Sequence, residues 1–121
     1  MEKEYAFVAC MDEDMEKADK IFKELEKNNI KYRFSKEFLN GDTVAYKKTV
    51  YPAIEECSFF IAAISMESSK NINMHFEVSI AKESEKKIIP VLLSQFDLKK
   101  ESPCWDYLIG NTEIKKLETN F

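Results

Sequence analysis

The sequence predicts an α/β protein in which helices cover both faces of a central parallel sheet of four to five strands. Apolar runs of strand length alternate along the chain with segments of helical periodicity, and this alternation is typical of parallel sheets. The most apolar run, Ser58–Ile64, has the continuous hydrophobicity of a strand that is buried on both faces. It is therefore expected at the centre of the sheet.

The composition is that of an ordinary globular domain. The 121 residues are 45% hydrophobic and 33% charged, which suits one folded domain over residues 1–121. The net charge is −4 and lysines alternate with glutamates, so a nucleic-acid-binding surface is not expected. No apolar stretch approaches the roughly 20 residues of a membrane span, and the first residues lack a signal-peptide pattern. A cytoplasmic protein without membrane contact is expected.

The first strand and helix are predicted within the first 29 residues. Tyr5–Cys10 is a short apolar run closed by polar residues, which indicates a buried strand. Apolar residues then recur at helical spacing over 15–25, and either Asp12 or Asp14 can cap that helix. Asn28 and Asn29 tolerate the left-handed conformation, so the helix is expected to end there.

The middle of the chain predicts an edge strand and a second helix. Ile30–Phe34 alternates apolar and polar residues, as a strand with one exposed face does. The loop Phe38–Asp42 contains Gly41 and leads into a helix over 44–54. Because a proline inside a helix lacks an N–H and clashes with the preceding turn, Pro52 predicts a kink or two short helical pieces.

A third helix and the remaining strands follow. A polar loop, Ser65–Asn73, leads from the central strand into an amphipathic helix. Lys87–Leu93 is the next buried strand, although Pro90 removes one donor from its ladder. We expect Tyr107–Ile109 to be a short last strand and Thr112–Leu117 a terminal helix.

The three cysteines do not indicate a disulfide or a metal site. Cys10, Cys57 and Cys104 are far apart, and the spacing of zinc ligands is absent. Cys10 and Cys57 lie in or beside apolar runs and are interpreted as small buried hydrophobic residues. The alternative, a nucleophilic cysteine, needs a nearby base, and the single histidine is His75.

The expected site lies where the strand order reverses. In a flavodoxin-like order the first and third strands flank that point, so the loops after Cys10 and Ile64 line the crevice. A phosphoacceptor aspartate after the third strand, a glycine-rich first turn and a Walker loop are all absent. The residues that remain near the crevice are acidic and polar: Asp12, Ser65, Ser68, Ser69, Asn71, Asn73 and Glu77.

An ordered series of motifs adds a family resemblance. The segments YAFVACMDED, FSKEFLNGD, PAIEECSFFIAAIS and MHFEVSIAKESEKKIIPVLL occur in this order over about residues 5–98. In this series the chain resembles a bacterial TIR domain, with Asp14 on the acidic position of the first loop and Gly41-Asp42 in the BB loop. The resemblance implies the flavodoxin-like TIR fold.

The resemblance also implies an activity. Many TIR domains cleave the nicotinamide–ribose bond of NAD, giving ADP-ribose or a cyclic isomer, and the family's catalytic glutamate falls on Glu77. NAD is then a substrate, and no cofactor is required. Asn73 stands where NAD-cleaving relatives often carry Trp, and Phe38 or Phe76 would have to replace that aromatic. Expected substrate contacts are Cys10, Met11, Asp12, Phe38, Ser65, Ser69 and Asn73.

The resemblance further implies a setting in bacterial antiphage defence. Self-association through the BB loop, Phe38–Val44, would activate the chain, and a partner effector would sense a nucleotide product. Two other functions stay open, an interaction module without chemistry and a nucleoside-processing enzyme similar to deoxyribosyltransferases. Glu77 also has a simpler interpretation, as a boundary residue whose stem packs on the core while its carboxylate meets water or a lysine.

Overall fold

The computed structural model describes residues 4–38 and 43–117. The chain alternates strands and helices, as the apolar pattern predicts. The strands are β1 (Ala6–Ala9), β2 (Tyr32–Phe34), β3 (Phe59–Ile64), β4 (Ile88–Leu92) and β5 (Lys115–Lys116). The helices are α1 (Asp19–Lys27), α2 (Thr43–Glu55), α3 (Ile72–Glu83), α4 (Leu98–Glu101) and α5 (Cys104–Ile109).

All five strands are parallel and lie in the order β2-β1-β3-β4-β5. The flavodoxin-like fold and the edge position of β2 are therefore confirmed. The strand order reverses between β1 and β3, because the chain leaves β2 on one side of β1 and returns on the other. Because these neighbouring strands are parallel, the carboxyl ends of β1, β2 and β3 lie side by side at one edge of the sheet.

Helices cover both faces of the sheet, so the predicted layers are confirmed. Alternate residues of β1 point to opposite faces, as pleated strands require. Phe7 packs in the cluster that contains buried residues of α2, α3 and α5. Val8 packs in the other cluster, with buried residues of α1.

The first helix starts later than the sequence predicts. A 3₁₀ turn spans Asp12–Asp14, and α1 begins at Asp19 without a side-chain cap. The prediction that Asp12 or Asp14 caps this helix is wrong, because Asp14 is buried and accepts a hydrogen bond from Ser65 Oγ. The predicted end is confirmed, since Asn29 takes the left-handed conformation with φ of 59°.

The second helix is not divided at Pro52. α2 runs from Thr43 to Glu55 with Pro52 in its last turn, so the expectation of two pieces is wrong. Proline removes one N–H bond and suits helical φ, while Val50 and Ile54 on either side are buried in the core. Packing therefore offsets the lost hydrogen bond.

The last two elements are the reverse of the prediction. Tyr107–Ile109 belongs to α5 instead of a strand, and the segment predicted as a terminal helix contains β5. The buried residues Trp105, Leu108 and Ile109 have helical spacing, which fixes α5 against the core. Gly110, with φ of 54°, ends this helix.

Pro90 lies within β4 without disrupting it. Phe60 N–H donates a hydrogen bond to the Lys87 carbonyl, and Leu93 N–H donates to the Ile64 carbonyl. The odd-numbered residues at and around β4 therefore direct their backbone N–H and C=O groups toward β3. By alternation, Pro90 faces the β5 side, where pairing starts only at Val91. The missing N–H thus lies before the first residue of β4 that pairs with β5.

Among the described residues, no helix is long and apolar enough to cross a membrane.

Candidate active site at the carboxyl edge of the sheet

Three strands end together at the edge where a site was expected. Cys10, Ser35 and Ser65 follow β1, β2 and β3 directly. α3 begins at Ile72 on the same side of the sheet, and Glu77 lies in its second turn. Polar side chains from distant parts of the chain therefore converge at this edge.

Glu77 is wholly buried, with 0% exposure. Ser35 Oγ donates a hydrogen bond to its Oε1 at 2.5 Å, and the Tyr46 hydroxyl donates to its Oε2. Its helix neighbours Met74 and Val78 are also buried. The boundary interpretation of Glu77 is wrong, because its carboxyl group meets two protein hydroxyls instead of water or a lysine.

Burial dominates the electrostatics of Glu77. The loss of hydration raises its pKa from 4.5 to about 7, although the hydrogen bonds from Ser35 and Tyr46 lower it. The same burial, followed by the charge of Glu77, raises the pKa of the Tyr46 phenol. Near neutral pH, Glu77 can therefore gain or lose a proton while Tyr46 keeps its own.

Ser35 connects Glu77 to the first strand. The backbone N–H of Cys10 donates to Ser35 Oγ at 3.0 Å, and the Ser35 hydroxyl donates in turn to Glu77. Neither Ser35 nor Tyr46 was predicted from the sequence. Ser35 could have been found as the residue that ends the second strand, and Tyr46 as the start of the buried stripe that continues at Val50.

Cys10 and Met11 lie at this edge, but both side chains are buried. Burial, with added effects from the acidic groups Asp14 and Glu77, raises the pKa of the Cys10 thiol to about 12. The interpretation of Cys10 and Cys57 as buried hydrophobic residues is confirmed.

A second polar cluster joins the loops after β1 and β3. Ser65 Oγ donates to Asp14 Oδ2 at 2.7 Å, and Ser65 N–H donates to Ser68 Oγ at 2.8 Å. Beside this cluster lies a cleft of about 360 Å³, whose walls include Met11 and Asn71. Asp14 lines this cleft.

Asp12 points elsewhere. Its carboxylate is exposed and forms an ion pair with Lys36 Nζ at 2.9 Å. Of the three acidic residues in this turn, Glu13 and Asp14 line the cleft, while Asp12 lies on the surface beside Lys36.

Ser69 lies in the loop between β3 and α3, and three side chains contact its backbone carbonyl oxygen. It is buried, and its carbonyl accepts hydrogen bonds from Trp105 Nε1 at 2.7 Å and from Ser102 Oγ at 2.9 Å. His75 Nε2 lies 2.6 Å from the same oxygen and must donate, since a carbonyl only accepts. His75 Nε2 also lies 3.5 Å from Cys104 Sγ, so the cysteine beside the histidine is the exposed one.

Asn71, not Asn73, caps α3. The side-chain oxygen of Asn71 accepts from the N–H groups of Asn73 and Met74 at 2.8 and 3.3 Å. Asn73, the next asparagine along the chain, therefore does not cap this helix. Asn73 is half-buried, one turn before Glu77.

Phe38 does not offer a free aromatic surface. Its exposure is 8%, and its ring stacks on Phe7 with centroids 5.9 Å apart. Phe76 is half-buried and lies 6.1 Å from the ring of Tyr46. Gly41 and Asp42, in the predicted self-association segment, lie outside the described residues.

Metal ligands are not grouped in the part of the chain that the structure describes. No set of three or more histidine, cysteine, aspartate or glutamate residues is placed to hold an ion there. What the site offers is a buried carboxyl group with a hydroxyl on each oxygen. Such a group can hold a pair of hydroxyls or stabilise a positive charge that develops beside it.

Comparisons with known proteins agree with this fold. The family model described as TIR domain matches residues 7–117. The chain is similar to the RPS4 and RRS1 TIR domain heterodimer, with a TM-score of 0.68, 12% identity, and coverage of 98% of this chain and 86% of that chain. No curated protein sequence matches.

Two further structures match less of the chain. The metazoan TIR-STING receptor from C. gigas gives a TM-score of 0.59 and 26% identity over 76% of this chain and 31% of that chain. The TIR domains of the activated Roq1 resistosome, which directly recognises the pathogen effector XopQ, give 0.54 and 18% over 73% and 57%.

Proposed function

Because the chain belongs to the TIR domain family, we propose that it cleaves NAD at the nicotinamide–ribose bond with Glu77 as the catalytic carboxylate. The products are nicotinamide and either ADP-ribose or a cyclic ADP-ribose isomer. The observation that supports this most is the burial of Glu77 at the carboxyl edge, with a hydroxyl group on each of its oxygens.

The reaction needs a group of this kind. The bond from ribose C1′ to the nicotinamide nitrogen breaks, and its electron pair neutralises the ring, so no acid is needed to expel it. The ribose gains oxocarbenium character, as in glycoside cleavage. The carboxylate of Glu77 would hold the ribose hydroxyls and stabilise that charge. Water or an adenine nitrogen would then attack ribose C1′.

The rest of the substrate is expected to bind at the same edge. The cleft beside Asp14 and Ser68 opens at the carboxyl ends of β1 and β3, where ligands of such sheets bind. Asn73 lies one turn before Glu77 and presents an amide instead of the aromatic that the family resemblance implies. Amide recognition of the substrate is therefore expected at this position.

Assembly is the proposed trigger. Glu77 is not exposed in the single chain, so activity requires a change at the edge. Self-association through Phe38–Val44 would supply it, and Val44 at the end of this segment is 61% exposed. We also propose that the chain acts in antiphage defence, where a partner effector senses the nucleotide product.

The test compares the wild-type chain with Glu77→Gln and with Glu83→Gln, a matched control on an exposed residue of the same helix. Each protein is incubated with NAD at high concentration and with a crowding agent, and products are resolved by mass. Nicotinamide is expected from the wild type and from Glu83→Gln, and not from Glu77→Gln. No nicotinamide in any assembled state would overturn the proposal.

A second candidate is an interaction module without chemistry. It is favoured by the fact that both oxygens of Glu77 already have protein partners, so that the residue would serve only to join α3 to α2 and to the segment after β2. In that case Glu77→Gln changes stability, and no form of the chain releases nicotinamide.

A further inference from the structure

Tyr46 and Ser35 hold the two oxygens of Glu77 in the way that two hydroxyls of a ribose would. Each donates one O–H to a different carboxylate oxygen, and the carboxylate has no exposed surface. A ribose hydroxyl that is to bind Glu77 must therefore displace one of these protein hydroxyls. The two donors are not equally easy to displace.

Ser35 is fixed at the sheet edge. Its Oγ accepts the backbone N–H of Cys10 at 3.0 Å while donating to Glu77 at 2.5 Å. Withdrawing Ser35 would leave a buried N–H without its partner, which is costly. Ser35 is thus a positioning residue that orients Glu77 from the sheet side.

Tyr46 is held differently. Its hydroxyl is at the end of a long side chain on the first turn of α2, and its ring packs 6.1 Å from that of Phe76. It lies two residues after Val44, which is exposed at the end of the proposed assembly segment. A shift of the first turn of α2 would therefore withdraw the Tyr46 hydroxyl and leave Ser35 in place.

Resting on the proposed function, we infer that Tyr46 is an internal occupant of the active site, which blocks Glu77 in the single chain and leaves it on assembly. The Tyr46 hydroxyl occupies the oxygen that the ribose hydroxyl requires. Withdrawal of Tyr46 frees one oxygen of Glu77, and the Ser35 bond keeps the carboxylate aligned.

The test uses Tyr46→Phe, which keeps the ring and removes the hydroxyl. Tyr51→Phe is the matched control, because Tyr51 is on the same helix and 38% exposed. In dilute solution, Tyr46→Phe is expected to release nicotinamide on the order of tenfold faster than the wild type, since it loses one hydrogen bond to a charged group. Tyr51→Phe is expected to match the wild type.

A second readout does not depend on catalysis. Carboxyl groups are labelled with a water-soluble carbodiimide and glycinamide, and the label at Glu77 is measured by peptide mass spectrometry. Faster labelling of Glu77 is expected in Tyr46→Phe than in the wild type. Faster labelling without NAD cleavage by any variant would retain the occupant and overturn the proposed function instead.

Two results would overturn the role of Tyr46. One is equal labelling of Glu77 in the folded wild type and in folded Tyr46→Phe, whatever the rates on NAD. The other is faster labelling with slower cleavage, which would make Tyr46 an aid to catalysis. If Tyr46→Phe fails to fold by circular dichroism, wild-type labelling with and without the crowding agent replaces it. An increase is then expected, and unchanged labelling would overturn the inference.

Discussion

At the scale of single residues, the protonation of Glu77 couples stability to pH. Its pKa is about 7 in the folded chain, against an ordinary value of 4.5 for a hydrated glutamate, so folding favours the protonated form. The stability from this residue is fully present below about pH 4.5 and is lost as the pH rises through about 7. The sign follows because the folded state binds the proton more tightly than the unfolded state.

We predict that the difference in unfolding free energy between wild type and Glu77→Gln changes by about 3 kcal/mol from about pH 4.5 to about pH 8. The wild type becomes relatively less stable as the pH rises, since glutamine cannot titrate. Urea unfolding followed by circular dichroism at several pH values measures this difference. Parallel profiles for the two proteins would show that Glu77 does not titrate in this range.

The three cysteines should react at different rates. Cys104 is exposed, whereas Cys10 and Cys57 are buried and burial raises the pKa of both their thiols. Iodoacetamide is therefore expected to modify only Cys104 quickly in the native chain, and all three in urea. Mass spectrometry of the modified protein tests this, and a second fast thiol in the native chain would contradict the described burial.

The residue scale is also where prediction from sequence is weakest. The position of Glu77 was predicted from the resemblance, but its partners Ser35 and Tyr46 were not. They lie 42 and 31 residues away in the chain and meet Glu77 only after the sheet and α2 have packed. Serine and tyrosine are common at strand ends and in helix stripes, so neither pattern alone indicates a hydrogen bond to a carboxylate.

At the scale of elements, Trp105 is one of the three buried side chains that fix α5 against the core. Trp105 has no exposed surface, and its Nε1–H donates to the Ser69 carbonyl in the loop before α3. Trp105→Phe is expected to lower the free energy of unfolding by about 1–3 kcal/mol, since it removes a buried hydrogen bond and volume. Tyr107→Phe, at a residue that is 74% exposed, is the control and should change it by under about 0.5 kcal/mol. Equal effects in urea unfolding would contradict this docking.

The elements also show where periodicity misleads. Tyr107–Ile109 has three consecutive apolar residues, as a strand does, but Trp105 extends the pattern to helical spacing. The predicted start of α1 is wrong for another reason. Asp14 accepts a hydrogen bond from Ser65, which follows the neighbouring strand β3, and so it is not available as a cap. The first error was avoidable, since the helical spacing of Trp105, Leu108 and Ile109 is present in the sequence. The second comes from a tertiary contact that a local pattern does not contain.

At the scale of the whole molecule, the sequence predicted the fold well. Long apolar runs distinguish buried parallel strands, and their alternation with amphipathic segments leaves few possible topologies. The carboxyl edge was predicted as the site because the reversal between β1 and β3 follows from that topology. The burial of Glu77 against Ser35 and Tyr46 could not be predicted, since these hydroxyls reach the carboxyl group only after distant parts of the chain have packed.

Assembly gives a prediction at this scale. Val44→Glu places a charge on an exposed apolar position at the end of the proposed assembly segment. It is expected to leave the melting temperature within about 2 °C of the wild type while lowering crowding-dependent NAD cleavage at least about tenfold. Tyr107→Glu, at another exposed apolar position, is the control. Equal cleavage by wild type and Val44→Glu would exclude this surface from activation.

The most direct test of the central claim is the rate of nicotinamide release by the assembled wild-type chain and by Glu77→Gln, each shown to be folded in the same sample. We predict release by the wild type and a loss of at least about a hundredfold in Glu77→Gln, because the charge that faces the ribose is removed. Equal rates for the two proteins, or no release by the assembled wild type, would contradict the catalytic role of Glu77.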